Sequence, residues 1–112
     1  MVSAFLCVSG EFEVKLFDRL DDFGETMVVR NTVDEKSAGP GSWSSISDYR
    51  NNVHWLMAKS DDCFLFTCKL IRLEEDREFN DRINLNLKTA EQLGSNTWRA
   101  RKISGAEASE LY

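Results

Sequence analysis

The sequence predicts a mainly β domain, an antiparallel β-sandwich or small barrel of about seven short strands with one or two short helical turns. Short runs rich in Val, Phe, Thr, Ile and Trp recur along the chain, and several alternate apolar with polar residues. Clusters of Gly, Pro, Ser, Asn and Asp punctuate them at the spacing of strand connections. An α+β arrangement is the alternative, because two segments also carry helical spacing. At 112 residues the chain forms a single domain, 1–112, since it is too short to build a second independent core.

Taken in order, Val2–Val8 suits a pleat and Gly10 marks a bulge or tight connection. Phe12, Val14 and Leu16 then alternate with Glu11, Glu13 and Lys15, which predicts a strand to about Phe17. Phe12, Leu16, Leu20 and Phe23 also share a helical face ahead of Gly24, so a helix over 11–23 competes. Thr26–Val33 is β-branched and reads as a strand. Next, 34–47 is Gly/Pro/Ser-rich with Trp43 in its middle, which predicts a long presented loop of a kind that often carries function. Ser47–Asn52 suits one helical turn, its Ser and Asp accepting free backbone N–H groups.

Val53–Ala58 and Cys63–Leu73, separated by the polar Lys59–Asp62, predict a hairpin, and the second run is apolar enough on both faces to suit a central strand. Glu74–Glu78 reads as a solvated turn. Ile83, Leu85 and Leu87 alternate with Asn84, Asn86 and Lys88, which favours a strand over the competing amphipathic helix of 77–93. Thr97–Ile103 reads as a last strand and Ala106–Tyr112 as a short helical tail.

The composition narrows the function more by exclusion than by signature. The net charge of −5 is concentrated early, with 6 Lys/Arg against 11 Asp/Glu in residues 1–63 and 8 of each thereafter. That balance speaks against general nucleic-acid binding, which depends on Lys/Arg displacing counterions from phosphates. It suits steering of a basic protein partner. Cys7, Cys63 and Cys68 are odd in number without a close pair, which points to a reducing, cytoplasmic setting and away from a disulfide framework. Ala4–Val8 is too short and lacks the basic flank of a signal peptide, and no apolar run is long enough to span a bilayer.

Catalytic and metal chemistry find little footing. A zinc site from His54 and the three cysteines lacks paired ligands, because Cys63 and Cys68 fall on opposite faces of a strand. A Cys–His pair from His54 with Cys63 or Cys68 carries no supporting local signature. The paired acids Asp21-Asp22, Asp34-Glu35 and Asp61-Asp62 sit in expected turns, and Gly39–Ser42 lacks the Lys and following helix of a phosphate loop. The expectation is therefore no cofactor, no metal and no enzyme.

What remains is a non-catalytic protein-binding module, of the kind that serves as an inhibitor, immunity-type or adaptor protein. Trp43 would anchor the partner with Ile46 and Tyr49 beside it, and Asp34 and Glu35 would steer it. Trp98, Arg99 and Arg101 form the one aromatic-basic cluster, suited to a ligand or nucleic-acid contact or to pairing with acidic residues across a sheet. The alternative is a small β-barrel whose walls, Trp55, Phe64, Phe66 and Trp98, enclose an apolar or nucleotide-like ligand. Homodimerisation through an open sheet edge is compatible with either.

Overall fold

A computed structural model describes residues 2–71 and 83–112. Among them are β1 (Val2–Ser9), β2 (Phe12–Phe23), β3 (Thr26–Ala38), β4 (Trp43–Ser47), β5 (Val53–Ala58), β6 (Phe64–Leu70), β7 (Asn84–Gln92), β8 (Thr97–Ile103) and one helix, α1 (Gly105–Leu111). The chain is mainly β. The strands form two antiparallel sheets, β4-β1-β6 and β5-β2-β3-β8-β7, the larger one curled like half a barrel.

The long β2–β3 hairpin organises both cores. Its turn uses Gly24 at φ +60, and β2 continues to Phe23, well beyond the expected end at Phe17, because its second half finds partners in Thr26–Arg30. That pairing removes the helical alternative for 11–23. Leu16 faces Val33 and Phe17 faces Asn31, so Thr32 is an extra residue bulged out of β3. The bulge lets one hairpin turn two faces inward. Phe12, Val14 and Leu16 pack with Phe5, Cys7, Ala38 and Ile46 between the sheets. Phe17, Met27 and Val29 pack with Leu85 and Ala100 inside the curl.

Three expectations are corrected by these pairings. First, 34–47 is two strands and a tight turn, with Glu35 opposite Val14, Ala38 opposite Phe12, and Trp43 opposite Leu6. Weak β formers such as Asp34 and Glu35 are carried into the ladder because β2 offers partners. The chain reverses over Gly39–Ser42, where Gly41 takes φ +89, and bonds from Gly41 N to Cys7 O and from Cys7 N to Ser42 O tie the turn to β1.

Second, β5 and β6 do not form a hairpin. β5 pairs with β2 and β6 with β1, so 59–63 crosses from one sheet to the other. The crossing is fastened to the β1–β2 connection: Lys59 N donates to Glu11 O, Glu11 N to Ser60 Oγ, and Ser9 Oγ to Asp62 O. β6 is consequently an edge strand, not a central one. Third, residues 48–51 form bends instead of a helical turn, although Ser47 Oγ accepts from the amides of Tyr49 and Arg50 as its type suggests.

The described part of 77–93 is the strand β7, and the expected turn at 74–78 lies outside the described residues. The tail is helical, capped by Ser104 accepting from Glu107 N at 3.1 Å. Beyond it, Tyr112 Oη donates to Leu85 O at 2.7 Å and accepts from Leu87 N at 2.8 Å, while its ring lies 6.3 Å from that of Trp55. One side chain thus links the two outer strands of the curled sheet, β7 and β5.

A polar knot at the surface of the sheet locks the β4–β5 connector to the hairpin. Asn51 adopts φ +55, a conformation that Asn tolerates better than most residues. Its amide donates to Asp18 Oδ1 at 2.7 Å, and Arg30 Nη2 donates to Asp18 Oδ2 at 3.1 Å. Thr32 Oγ1 sits 3.1 Å from Leu16 O and 2.5 Å from Asn51 Oδ1, either of which its hydroxyl can address. The Asn51 amide bond holds the Asp18 carboxyl below the usual carboxylate range; partial burial opposes this and Arg30 reinforces it.

A group with a depressed folded value stabilises the fold above the ordinary carboxylate range and loses that contribution as acid protonates it. Asp18→Asn is therefore expected to cost about 1.5–3 kcal/mol at neutral pH, the usual range for charge-assisted hydrogen bonds. The difference between variant and wild type should close as pH falls through the depressed value. Urea unfolding at several pH values measures it, and a gap that stays constant into acid would show that the carboxylate charge is not the cause.

Candidate functional site

The three-stranded sheet turns one face to the core and leaves the other in solvent. Ser3, Phe5 and Cys7 of β1 point inward, as do Ser44 and Ile46 of β4 and Leu65 of β6. Alternation then sends Val2, Ala4, Leu6 and Val8, Trp43, Ser45 and Ser47, and Phe64, Phe66, Cys68 and Leu70 outward.

Register aligns these side chains into rows across the strands. One row runs Trp43, Leu6, Phe66, the next Ser45, Ala4, Cys68, and the third Ser47, Val2, Leu70. Trp43 is 73% exposed, Leu6 40%, Phe66 61% and Phe64 63%. None of the outward positions carries a charge, in a chain where 29% of residues do. Scattered exposed apolar residues are ordinary, but a contiguous uncharged face of this extent is the candidate for an interaction surface.

Beside Trp43 an open cleft of ≈ 350 Å³ runs along the outer edge of β4, lined by Leu16, Val33, Ser44, Ile46, Arg50 and Asn51 among others. Trp43 stands where the cleft meets the apolar face.

The expected anchor residues separate. Trp43 and Tyr49 are exposed, Tyr49 on the connector after β4, but Ile46 is 4% exposed and belongs to the core between the sheets. A strand sends positions 43 and 46 to opposite faces, so Ile46 supports Trp43 from behind and does not sit beside it. Asp34 and Glu35 lie on β3, paired with Lys15 and Val14, and Glu35 shares with Trp43 the lining of a slot between the sheets.

The aromatic-basic cluster is charge-paired. Arg99 Nη1 lies 3.2 Å from Glu91 Oε2 and Arg101 Nη2 3.4 Å from Glu107 Oε2, while Lys102 meets Asp22. Trp98 packs on the core inside the curl. The four supposed barrel walls do not converge either. Phe64 and Phe66 face outward from the small sheet, and Trp55 lies under Lys15 Nζ and beside Tyr112.

No family model, curated protein or solved structure matches this chain.

The site therefore stands on its own geometry. Among the described residues no group of His, Cys, Asp and Glu is arranged to hold a metal ion, and no helix is long and apolar enough to cross a membrane. His54 packs against Phe5 at 5.8 Å between ring centroids, whereas Cys68 faces outward from β6. Cys63 sits at the crossing, its Sγ 3.3 Å from Ser60 Oγ, and that hydroxyl holds its thiol below the usual range. All three cysteines are free.

Sequence reasoning missed Leu6, Val8, Phe64, Phe66 and Leu70 as surface residues. The available signal was that β1 and β6 are apolar at consecutive positions, on both faces of the pleat.

Proposed function

We propose that this protein is a non-catalytic protein-binding module whose docking surface is the outward face of β4-β1-β6, with Trp43 as its anchor. The observation that carries this reading is the exposed cross-strand row Trp43–Leu6–Phe66 on an uncharged face. Such a face gains by desolvation against a complementary surface, and a large rigid ring at its margin supplies contact area at small entropic cost. Ile46 and Phe5 beneath fix the strand that presents it, so the surface is preorganised. The acidic remainder of the molecule contributes no charge to the contact itself. Free thiols in a chain of this size support a cytoplasmic setting.

The test is Trp43→Ala. Immobilised wild-type and variant proteins are compared for capture from an extract of the source, with the exposed Tyr49→Ala as control. Loss of a true anchor should weaken binding by at least ~2 kcal/mol, or about 30-fold in Kd, with stability unchanged. Equal binding by both proteins, or a Trp43→Ala protein that is simply less stable, would sink the anchor assignment.

A further inference from the structure

We infer that the occupant of this face is a second copy of the same chain, the two small sheets packing outer face against outer face about a two-fold axis. This rests on the reading of the face as a docking surface and names its partner. Area is the first argument. At 73%, 63% and 61% exposure, Trp43, Phe64 and Phe66 alone present roughly 400 Å² per copy, taking ~200 Å² for each aromatic side chain. Both copies, with Leu6 and Leu70 added, approach the ~1,200 Å² at which specific interfaces begin.

Charge is the second. Copies carrying a net −5 repel one another, and a two-fold contact sets a patch against itself, so charged patches would meet like charges. Among the described residues the outward face of β4-β1-β6 carries no charged side chain, so it meets its own copy without like charges at the seam. Size alternation is the third. The row Ser45–Ala4–Cys68 is small and lies beside the large row Trp43–Leu6–Phe66, so an offset copy seats its aromatic ridge over its neighbour's small row. Edge pairing through β6 is the poorer route. It leaves the apolar face wet and brings Lys69, on the other side of β6, into the new seam.

Sedimentation velocity on the full chain in reducing buffer, over a micromolar dilution series, should show the 12.8 kDa species double its mass as concentration rises. Alkylation of Cys68, followed by peptide mass spectrometry, should slow in step with that doubling, while the rate at Cys63 stays constant. Leu6→Lys and Phe66→Lys place like charges across the axis and should remain monomeric with fast Cys68 labelling and an unchanged circular dichroism spectrum. Thr67→Lys, which lies on the β6 edge but off the face, should still dimerise.

A wild-type protein that stays monomeric, a dimer with freely alkylated Cys68, or a dimer lost in Thr67→Lys but kept in both face variants would overturn the inference. In the monomeric case the capture comparison decides the rest. A foreign protein bound through Trp43 keeps the docking reading, and indifference to Trp43→Ala removes that too.

Discussion

Leu16→Ala is expected to lower the free energy of unfolding by about 2–5 kcal/mol, the range for deleting a buried Leu side chain where the site cannot collapse. Leu16 is 1% exposed, and it is flanked on both sides by paired strands, Val33 on β3 and His54 on β5. Its carbonyl also receives Asn31 Nδ2 at 3.1 Å, which fixes the backbone that would have to move to close a cavity. Against a total stability of about 5–15 kcal/mol, such a loss is a large fraction. Urea unfolding of the variant measures it. A loss below about 1 kcal/mol would mean that the space between the sheets is not packed around this residue.

Gly10→Ala is the second large effect, at about 2 kcal/mol or more, because two costs fall on one residue. Gly10 holds φ +81, where a side chain is strained, and an added Cβ would lie 2.6 Å from Cys63 Sγ and 2.9 Å from Cys63 Cα. The second contact is with backbone and cannot be relieved by a rotamer change. Gly24→Ala supplies the comparison, since φ is +60 there but nothing lies within 4 Å. It should cost about 1 kcal/mol, the conformational share alone. Equal losses at both sites would show that the 59–63 crossing is not seated against the β1–β2 connection. Faster alkylation of Cys63 in Gly10→Ala is the accompanying local readout.

How much of this was legible in the sequence depends on which interaction decided each segment. Period-two alternation located β2 and β7 and the mainly β class, because alternation reports a half-buried pleat directly. Asp34–Ser37 reads as loop on propensity, and it is a strand because β2 supplies a ladder; nothing local encodes that partner. β5 and β6 adjoin in sequence and read as a hairpin, but each has a better partner elsewhere. The double-sided apolarity of Cys63–Leu70 has two physical solutions, burial on both faces or burial on one with the other left in solvent. β6 lies at the edge of the three-stranded sheet, which packs on the core with one face, and the latter was realised. Trp43 stands out in the sequence as a Trp in a Gly/Ser context, and the structure exposes it, but its neighbours came from register, which a single sequence does not disclose.

Thr32, the bulged residue of β3, has a consequence for how the molecule melts. Because of it, β2 and β3 serve as a common beam: residues up to Leu16 and from Val33 onward load one core, and residues from Phe17 to Asn31 load the other. Neither core can open without slackening the ladder against which the other rests, so the two behave as one cooperative unit despite lying on opposite faces. Native-state hydrogen exchange should accordingly return the same opening free energy for the amides of Val14 and Val29, one from each side of the bulge.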